Sequence, residues 1–461
     1  MVLPMKKLNK SVIRRKLKET TKKNIILQQL DYLLDTFENN NNQLNWNAVK
    51  PVKNTSFSHE KKLPQTYIEI GQKALSEVAL LKLNGGLGTT MGCKDPKSLL
   101  KAKQDRSFLD ITIDQLKVIN KEYTIKVPLI LMNSNATSKK TKEAINKKYD
   151  YHEIIQNKFP RIDLEEMTVY SNNQNPDETW YPPGHGDLLL TLKTSGILST
   201  LREKGIKYIF ISNSDNLGAT MSLPILGKMV SENLPFIMEV TEKTNSDVKG
   251  GIIAKVNNKL TLIERAQVPN HCISEFEDIK KYTIFNTNNI WINLSFLEKI
   301  YKDLPIKLPV INNQKEINQK KIMQLEMAIG SAMTLFDKSD IVLVDRNRFL
   351  PVKTTSDLLV LQSDLVSEIT PGKLSVKQKI PVIRWDLNTL DQYKKSMQEI
   401  PSLMHLTSLE IKGPIQFKKN VKLSANIKII NTTRKPYIIE NEKLSDIEIQ
   451  VSDNGIKKIP L

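Results

Sequence analysis

The sequence predicts an α/β fold, in which a mixed, mostly parallel sheet is followed by a C-terminal left-handed parallel β-helix. Two observations predict it. Short apolar runs of strand type recur between residues 78 and 344 with helical patterns between them, which favours a sheet covered by helices. Near the C-terminus, apolar residues recur at intervals of six, the spacing typical of a parallel β-helix.

The N-terminal region predicts helices. Residues 12–37 carry apolar side chains at helical spacing with charged residues between them, and the apolar stripe is formed by Leu27, Leu30, Leu33, Leu34 and Phe37. We expect one amphipathic helix here, lying against the body of the protein. The run of asparagines at 39–42 follows as a loop, and a further helical stretch is expected near 68–76.

The middle of the chain supplies the strands of the predicted sheet. The first is VALLKL at 78–83, and the later apolar runs are 127–132, 208–212, 235–240, 250–256, 288–294 and 341–344. A helical pattern such as 109–119 lies between several of them. Ligands of such sheets bind beyond the carboxyl ends of the strands, so the residues after 78–83 and 208–212 are the first candidates for a site.

The C-terminal module shows two ladders of apolar residues. One ladder consists of Ile411, Phe417, Leu423 and Ile429, and the other of Ile415, Val421 and Ile427. An ordinary meander of strands would need only alternation between apolar and polar residues. The six-residue interval therefore favours a β-helix, whose open end is also a candidate surface for homo-oligomer formation.

The loop after the first strand, LNGGLGTTMGCKDPK at 83–97, is the strongest functional signal. Its four glycines, Gly85, Gly86, Gly88 and Gly92, allow a sharp turn whose backbone N–H groups can bind an anion, and Lys97 adds a positive charge. The loop fails the Walker pattern because the glycine spacing is one residue short. It also fails the dinucleotide fingerprint, because three residues separate the last two glycines.

The composition excludes several classes of protein. The formal charge of +18 comes mostly from lysines interleaved with acidic residues, and only ten residues are arginine, so a solvated surface is favoured over specific nucleic-acid binding. Cys93 and Cys272 are too few for a disulfide framework, and the five histidines lack zinc-type spacing. With neither an apolar membrane-spanning run nor a secretory signal pattern, a cytoplasmic location is expected.

The glycine loop fits the pattern G-G-x-G-T-x-[ML]-G-x(3)-P-K, and further motifs follow in order: SFLDITIDQ, FPRI, YPPGHGD, SNSDNLGA, ERAQVP, IFNTNNIWINL and RFLPVKTTSD. This set resembles the family of UTP–glucose-1-phosphate uridylyltransferases, also called UDP-glucose pyrophosphorylases. The motifs cover about 78–365, and the resemblance implies a Rossmann-like nucleotidyltransferase domain at 76–362. With the patterns described above, the chain is expected to consist of a helical N-terminal segment at 1–75, this domain, and the β-helix at 363–461.

The resemblance also implies the chemistry. UTP and α-D-glucose 1-phosphate would react to UDP-glucose and pyrophosphate by direct in-line displacement, with Mg²⁺ as the cofactor. Lys353, Lys97 and Asp215 would be catalytic, and Asp215 would be the metal ligand. Without the resemblance, Asp215 could equally be a loop-capping carboxylate and Lys353 a surface lysine.

The binding residues are implied in the same way. The nucleotide would be contacted by Leu83, Asn84, Gly85, Gly86, Lys97, Gln156, Gly184, Asp215 and Lys353. The sugar phosphate would be contacted by His185, Asn213, Ser214, Gly250, Glu264 and Asn288. Each of the strand-end residues also has an ordinary structural role as its alternative.

Two other functions stay open at the level of sequence. A UDP-N-acetylhexosamine pyrophosphorylase would have a similar loop, but that branch carries Arg-Leu where this chain has Thr90 and Met91. A catalytically inactive homologue could act as a scaffold. Retention of Lys97, Asp215 and Lys353 favours an active enzyme.

Overall fold

The computed structural model describes residues 7–39, 44–146, 148–245 and 247–461. Its α-helices in these ranges are α1 (Lys10–Lys18), α2 (Asn24–Glu38), α3 (Gln65–Ala74), α4 (Phe108–Tyr123), α5 (Asn135–Ile145), α6 (Leu188–Thr194), α7 (Ile197–Glu203), α8 (Leu223–Ser231), α9 (Ile273–Glu277), α10 (Leu297–Ile300), α11 (Thr355–Gln362) and α12 (Leu390–Ser396). Among them, none is long and apolar enough to cross a bilayer.

The strands fall into a first group that ends before the C-terminal region. They are β1 (Val49–Pro51), β2 (Ser58–His59), β3 (Val78–Asn84), β4 (Lys101–Lys103), β5 (Arg106–Ser107), β6 (Leu129–Asn133), β7 (Tyr151–Ile155), β8 (Phe159–Pro160), β9 (Ile162–Asp163), β10 (Thr168–Val169), β11 (Trp180–Tyr181), β12 (Tyr208–Asn213), β13 (Phe236–Glu242), β14 (Ile252–Val256), β15 (Lys259–Ile263), β16 (Ile284–Asn293), β17 (Val310–Ile317), β18 (Lys320–Met327) and β19 (Ser339–Leu343).

The second group of strands belongs to the C-terminal region. They are β20 (Val366–Thr370), β21 (Lys373–Val376), β22 (Val382–Trp385), β23 (Ser402–Lys412), β24 (Ile415–Phe417), β25 (Lys422–Asn431), β26 (Tyr437–Ile439), β27 (Lys443–Ser452) and β28 (Gly455–Pro460).

Eleven strands of the described residues form the central sheet, whose main path runs β2-β19-β13-β16-β12-β3-β6-β7. Neighbours on this path are parallel, except that β16 runs antiparallel to both β13 and β12. Strands β3 and β6 are almost fully buried, as expected of parallel strands covered by helices on both faces. The expectation of a mixed, mostly parallel α/β sheet is confirmed.

The N-terminal region forms two helices, so the expectation of one helix over 12–37 is wrong. Helix α1 ends at Lys18 because the Thr20 hydroxyl bonds to the Leu17 carbonyl, and the Thr21 hydroxyl accepts from the Lys23 N–H. Both helices pack against the body, as expected, and Arg14 pairs with Asp31 at 3.0 Å to join them. Beyond Asn39, the predicted asparagine loop lies outside the described residues.

The same region also contributes strands to the central sheet. Strand β1 pairs with β14, and β2 pairs with β19 at the edge. The segment predicted as helical at 1–75 therefore supplies part of the sheet as well as the helices. Helix α3 (Gln65–Ala74) corresponds to the helix expected near 68–76.

In the C-terminal region, β22, β23, β25 and β27 pair in parallel and β28 closes the sheet in antiparallel orientation. Strands β24 and β26 form a second parallel pair. Every residue of the two predicted ladders is buried, with exposures of 4% or less. The hydrophobic core of this region also contains Met91 of the glycine loop and Phe108, so it packs directly against the part of the molecule that carries the loop.

Candidate active site

The site begins where two neighbouring strands end. Strands β3 and β12 are parallel and adjacent, with Leu83 paired to Asn213. Just beyond them, the Ser214 N–H donates to the Leu83 carbonyl at 3.2 Å. The glycine loop and the turn of the SNSD motif therefore leave the sheet side by side, as the rule for carboxyl ends of parallel strands predicts.

Lys97 and Asp215 lie at the centre of this site. The Lys97 Nζ donates to Asp215 Oδ2 at 2.6 Å, and both side chains are largely buried, with exposures of 15% and 13%. The loop bends back to make this contact through left-handed turns at Gly88 (φ +65°) and Gly92 (φ +68°). The Lys97 N–H donates to the Gly86 carbonyl at 3.2 Å, which holds the end of the loop beside its beginning.

The second oxygen of Asp215 lacks a partner among the residues that the structure describes. This Oδ1 is buried, and no described group donates a hydrogen bond to it. In the part of the chain that the structure describes, no three or more His, Cys, Asp or Glu side chains are grouped so as to hold a metal on their own. A single carboxylate with a free buried oxygen fits a cation of the Mg²⁺ type, which takes one or two carboxylates and completes its shell with substrate phosphates and water.

Gln156 connects two of the glycines predicted to contact the nucleotide. Its Nε2 donates to the Gly184 carbonyl at 2.6 Å, and a Cβ added at Gly85 would lie only 2.8 Å from its Oε1. Ser134 donates to the Gly85 carbonyl at 2.8 Å. By contrast, a Cβ at Gly86 would meet no atom of the described ranges within 4 Å, so the chain is open to a ligand at that residue.

The side chain of Asn84 is turned into the protein. Its Nδ2 donates to Asn133 Oδ1 at 2.7 Å and to Thr141 Oγ1 at 3.0 Å, and the residue is 1% exposed. Its Oδ1 is buried and accepts from none of the described groups. Asn84 therefore ties β3 to the neighbouring β6 and α5, while its backbone starts the glycine loop.

The YPPGHGD block is held by close contact with the end of β18. Gly184 has φ +76°, and a Cβ there would lie 2.4 Å from the Met327 carbonyl oxygen, so glycine is required on both grounds. The Ile329 N–H donates to His185 Nδ1 at 3.0 Å. Burial lowers the pKa of His185 to about 4, so the imidazole is neutral near pH 7.

Asn213 and Asn288 meet across β12 and β16. The Asn288 Nδ2 donates to Asn213 Oδ1 at 2.8 Å, and Asn288 has φ +60°, a left-handed conformation that asparagine tolerates better than most residues. The Asn288 Oδ1 is buried and has no partner in the described part of the chain. An acceptor of this kind suits a hydroxyl group of a bound sugar.

Glu264, Gly250 and Lys353 are three more residues predicted to contact substrate. The Glu264 carboxylate is so close to Gly251, next to Gly250, that a Cβ on Gly251 would lie 2.9 Å from it. Burial raises the pKa of Glu264, and the positive charge of Lys353 opposes that rise. Lys353 itself is exposed, and its backbone N–H donates to Asp357 Oδ2 at the start of α11.

Lys82 is a polar residue beside the site that was not singled out from the sequence. Lys82, on β3, is 1% exposed, and its amine donates to Ser212 Oγ at 2.8 Å beneath the Asp215 turn. Burial lowers its pKa to about 7. A lysine within the apolar run VALLKL was a visible signal, because a charged residue in a strand buried on both faces is rare.

The sequence of this chain matches that of a known family over most of its length. The profile described as UTP–glucose-1-phosphate uridylyltransferase matches residues 27–424. A curated relative, UTP–glucose-1-phosphate uridylyltransferase 2 of Dictyostelium discoideum, is 39% identical over 430 residues, covering 89% of this chain and 85% of the relative. The UTP–glucose-1-phosphate uridylyltransferase of Hordeum vulgare is 38% identical over 400 residues, covering 84% and 85%.

Solved structures are similar over nearly the whole chain. A mutant of UDP-glucose pyrophosphorylase from Leishmania major in complex with UDP-glucose superposes with a TM-score of 0.87 at 32% identity, covering 96% of this chain and 99% of that one. The UDP-glucose phosphorylase from Trypanosoma brucei gives a TM-score of 0.86 at 34% identity, with the same coverage of 96% and 99%. The similarity therefore extends through the C-terminal region.

Proposed function

The chain belongs to the UTP–glucose-1-phosphate uridylyltransferase family, and we propose that the site at the ends of β3 and β12 carries out the reaction of that family. The site transfers the uridylyl group of UTP to α-D-glucose 1-phosphate, giving UDP-glucose and pyrophosphate in a reversible reaction. The observation that carries this proposal is the Lys97–Asp215 pair, at 2.6 Å, placed at the end of an open glycine loop.

The reaction is a direct displacement at phosphorus. A phosphate oxygen of glucose 1-phosphate forms a bond to the α-phosphorus of UTP while the bond to the departing pyrophosphate breaks on the opposite side. No covalent enzyme intermediate is needed. The main obstacle is that one anion must approach another, so catalysis consists mostly of positioning and of neutralising charge.

Two lysines supply the positive charge that the protein itself contributes at the site. Lys97 contacts the phosphates from the end of the glycine loop, and Lys353 does so from the segment before α11. Asp215 would hold Mg²⁺ through its free Oδ1, and the bound ion would neutralise phosphate charge and orient the phosphates. When substrate is present, we expect Lys97 to exchange its contact with Asp215 for one with phosphate.

The nucleotide lies along the glycine loop. Leu83 and Asn84 lead into the loop, and Gly85 and Gly86 let the backbone approach the uridine and ribose closely. Gln156 and Gly184 line the side of the nucleotide site opposite the loop. Their hydrogen bond of 2.6 Å joins two separate segments of the chain there. The backbone amides bind without adding bulk at the point of closest approach.

The sugar phosphate lies on the side of β16. Asn288 and Glu264 accept hydrogen bonds from sugar hydroxyls, and the free Oδ1 of Asn288 supports this role. His185 is neutral and contributes hydrogen bonding without charge. The remaining contacts come from the backbone and short side chains of Asn213, Ser214 and Gly250.

The organisation of the chain follows the same proposal. The N-terminal segment spans 1–75, the nucleotidyltransferase domain 76–362 and the C-terminal domain 363–461. The parallel pairing of β23, β25 and β27 and the buried six-residue ladders support a left-handed β-helix in the C-terminal domain. Its end strand is the surface through which we expect copies of the chain to assemble. We expect the protein to act in the cytoplasm, without a membrane or a specific nucleic acid as partner.

One assay tests the proposed function. The purified protein is incubated with UTP, glucose 1-phosphate and Mg²⁺, and the formation of UDP-glucose and of pyrophosphate is measured. We expect both products in equal amounts and none after removal of divalent cations by chelation. Stronger turnover of N-acetylglucosamine 1-phosphate would indicate a UDP-N-acetylhexosamine pyrophosphorylase instead. No turnover of either sugar phosphate would indicate an inactive homologue.

A further inference from the structure

Asn216 directly follows Asp215 and is fully buried, with 0% exposure. Its side-chain amide makes four hydrogen bonds. The Oδ1 accepts from the N–H groups of Leu350 at 2.9 Å and Gly218 at 3.2 Å. The Nδ2 donates to the Arg348 carbonyl at 3.1 Å and to Asn289 Oδ1 at 3.2 Å. Both hydrogens of the amide and both oxygen lone pairs are thus engaged.

Two of these partners belong to the segment that leads to Lys353. Arg348 and Leu350 precede Lys353 by five and three residues, and Asn216 also forms an isolated antiparallel bridge with Pro351. The turn that carries Asp215 and the segment that carries Lys353 come from distant parts of the chain. The buried side chain of Asn216 is one of the contacts that join them.

The network around Asn216 is anchored in the central sheet. The Arg348 guanidinium bonds to both oxygens of Glu239, at 2.6 Å and 3.0 Å, and Glu239 is fully buried on β13. The Nδ2 of Asn289 and the Nε1 of Trp291, both on β16, also donate to Glu239, each at 3.0 Å. A buried network whose polar groups are all hydrogen-bonded is rigid, so it can hold both loops in fixed positions relative to the sheet.

We propose that Asn216 is a positioning residue that holds Lys353 at a fixed place relative to Asp215 and Lys97. This inference rests on the proposed function, because it concerns how the charges of that site are brought to one substrate. Asn216 does not contact the substrate. Without its hydrogen bonds the two segments shift relative to each other, and a misplacement of about 1 Å can lower turnover by about 100-fold.

A double-mutant cycle tests the inference. The turnover number is measured for the wild type, Asn216→Ala, Lys353→Ala and the double variant. If Asn216 acts by placing Lys353, loss of Lys353 should cost at least about tenfold less in the Asn216→Ala background than in the wild type. Equal costs in the two backgrounds would overturn the inference, because a purely structural role gives additive effects.

Asn431 provides a matched control in the C-terminal region. It is 5% exposed, and its Nδ2, like that of Asn216, donates to two acceptors, which here are the backbone carbonyls of Pro414 and Lys435. Asn431→Ala should lower the melting temperature by a comparable amount and leave the effect of Lys353→Ala unchanged. If Asn431→Ala reproduces the coupling, destabilisation rather than positioning explains it and the inference fails.

A milder variant keeps the test decisive if Asn216→Ala does not fold. Asn216→Ser shortens the side chain and retains a hydroxyl, and the same cycle is repeated with it. If Lys353→Ala loses activity but the cycle is additive, only this inference fails. If Lys353→Ala alone keeps full turnover, the role of Lys353 in the proposed function fails and this inference with it.

Discussion

Lys97 and Asp215 are 118 residues apart in the chain, yet their side chains meet at 2.6 Å. The contact joins the end of the glycine loop to the turn after β12. It leaves one carboxylate oxygen of Asp215 buried and without a partner among the described residues. Under the proposed function, the pair therefore places the expected cation ligand and the expected phosphate-binding lysine next to each other before any substrate arrives.

The first prediction concerns the charge of Asp215. Asp215→Asn keeps the shape of the side chain but removes the negative charge, and we expect turnover to fall by on the order of 10² to 10³. The melting temperature should change little, since Lys97 can still donate to the amide oxygen. UDP-glucose formation is measured over a range of Mg²⁺ concentrations. Asp105→Asn, in the exposed pair with Lys101, is the control and should keep full activity.

The second prediction concerns Lys97. Lys97→Met retains most of the unbranched side chain but removes the ammonium group, so the KM for UTP should rise and turnover should fall. Both effects follow from the loss of a positive charge beside the phosphates. Steady-state kinetics with varied UTP at saturating glucose 1-phosphate measures them. Unchanged kinetics would show that Lys97 only balances the charge of Asp215.

The third prediction concerns Gly86, where an added Cβ would meet no atom within 4 Å in the part of the chain that the structure describes. Gly86→Ala should therefore leave the melting temperature unchanged and raise the KM for UTP by about tenfold or more, because the methyl group occupies space that the nucleotide needs. Gly85→Ala is the comparison. Its added Cβ would collide with Gln156, so this variant should also have a lower melting temperature. Normal UTP binding by Gly86→Ala would remove this glycine from the nucleotide site.

The fourth prediction concerns Lys82 and the stability of the fold. Burial lowers the pKa of Lys82 to about 7 from 10.5, so between these values the unfolded chain binds a proton that the folded chain does not. The contribution of Lys82 to stability therefore increases as pH rises through this window, by about 1.4 kcal/mol per pH unit, and is constant below it. Lys82→Met lacks this pH-dependent contribution to the free energy of unfolding.

Urea unfolding of the wild type and Lys82→Met between pH 7 and 10 measures the difference. The free energy of unfolding of the wild type minus that of the variant should increase with pH. All other titrating groups are shared, so this difference reports on Lys82. A difference that does not vary with pH would show that the amine is charged in the folded protein across this range.

Much of this molecule was predictable from sequence because the signals are local. Apolar runs such as VALLKL predicted buried strands, and the ladder containing Phe417 and Leu423 predicted buried positions in the C-terminal region. The single helix over 12–37 was wrong because the Thr20 hydroxyl donates to the backbone at the end of α1, and the Thr21 hydroxyl accepts from the backbone N–H of Lys23 just before α2. Hydrogen bonds of this kind compete with continuation of the helix, and the spacing of apolar residues does not reveal them.

The sequence by itself determined the class of sheet, the glycine loop and the family, since these depend on residue order and on short motifs. Only the tertiary structure decided which charges meet: Lys97 with Asp215, and Arg348 with Glu239. It also decided that Lys82 is buried and that Asn216 joins the two loops. These contacts link residues far apart in the chain, and they depend on how strands are ordered in the sheet. No local period encodes that order, because it is selected by the packing of the whole core.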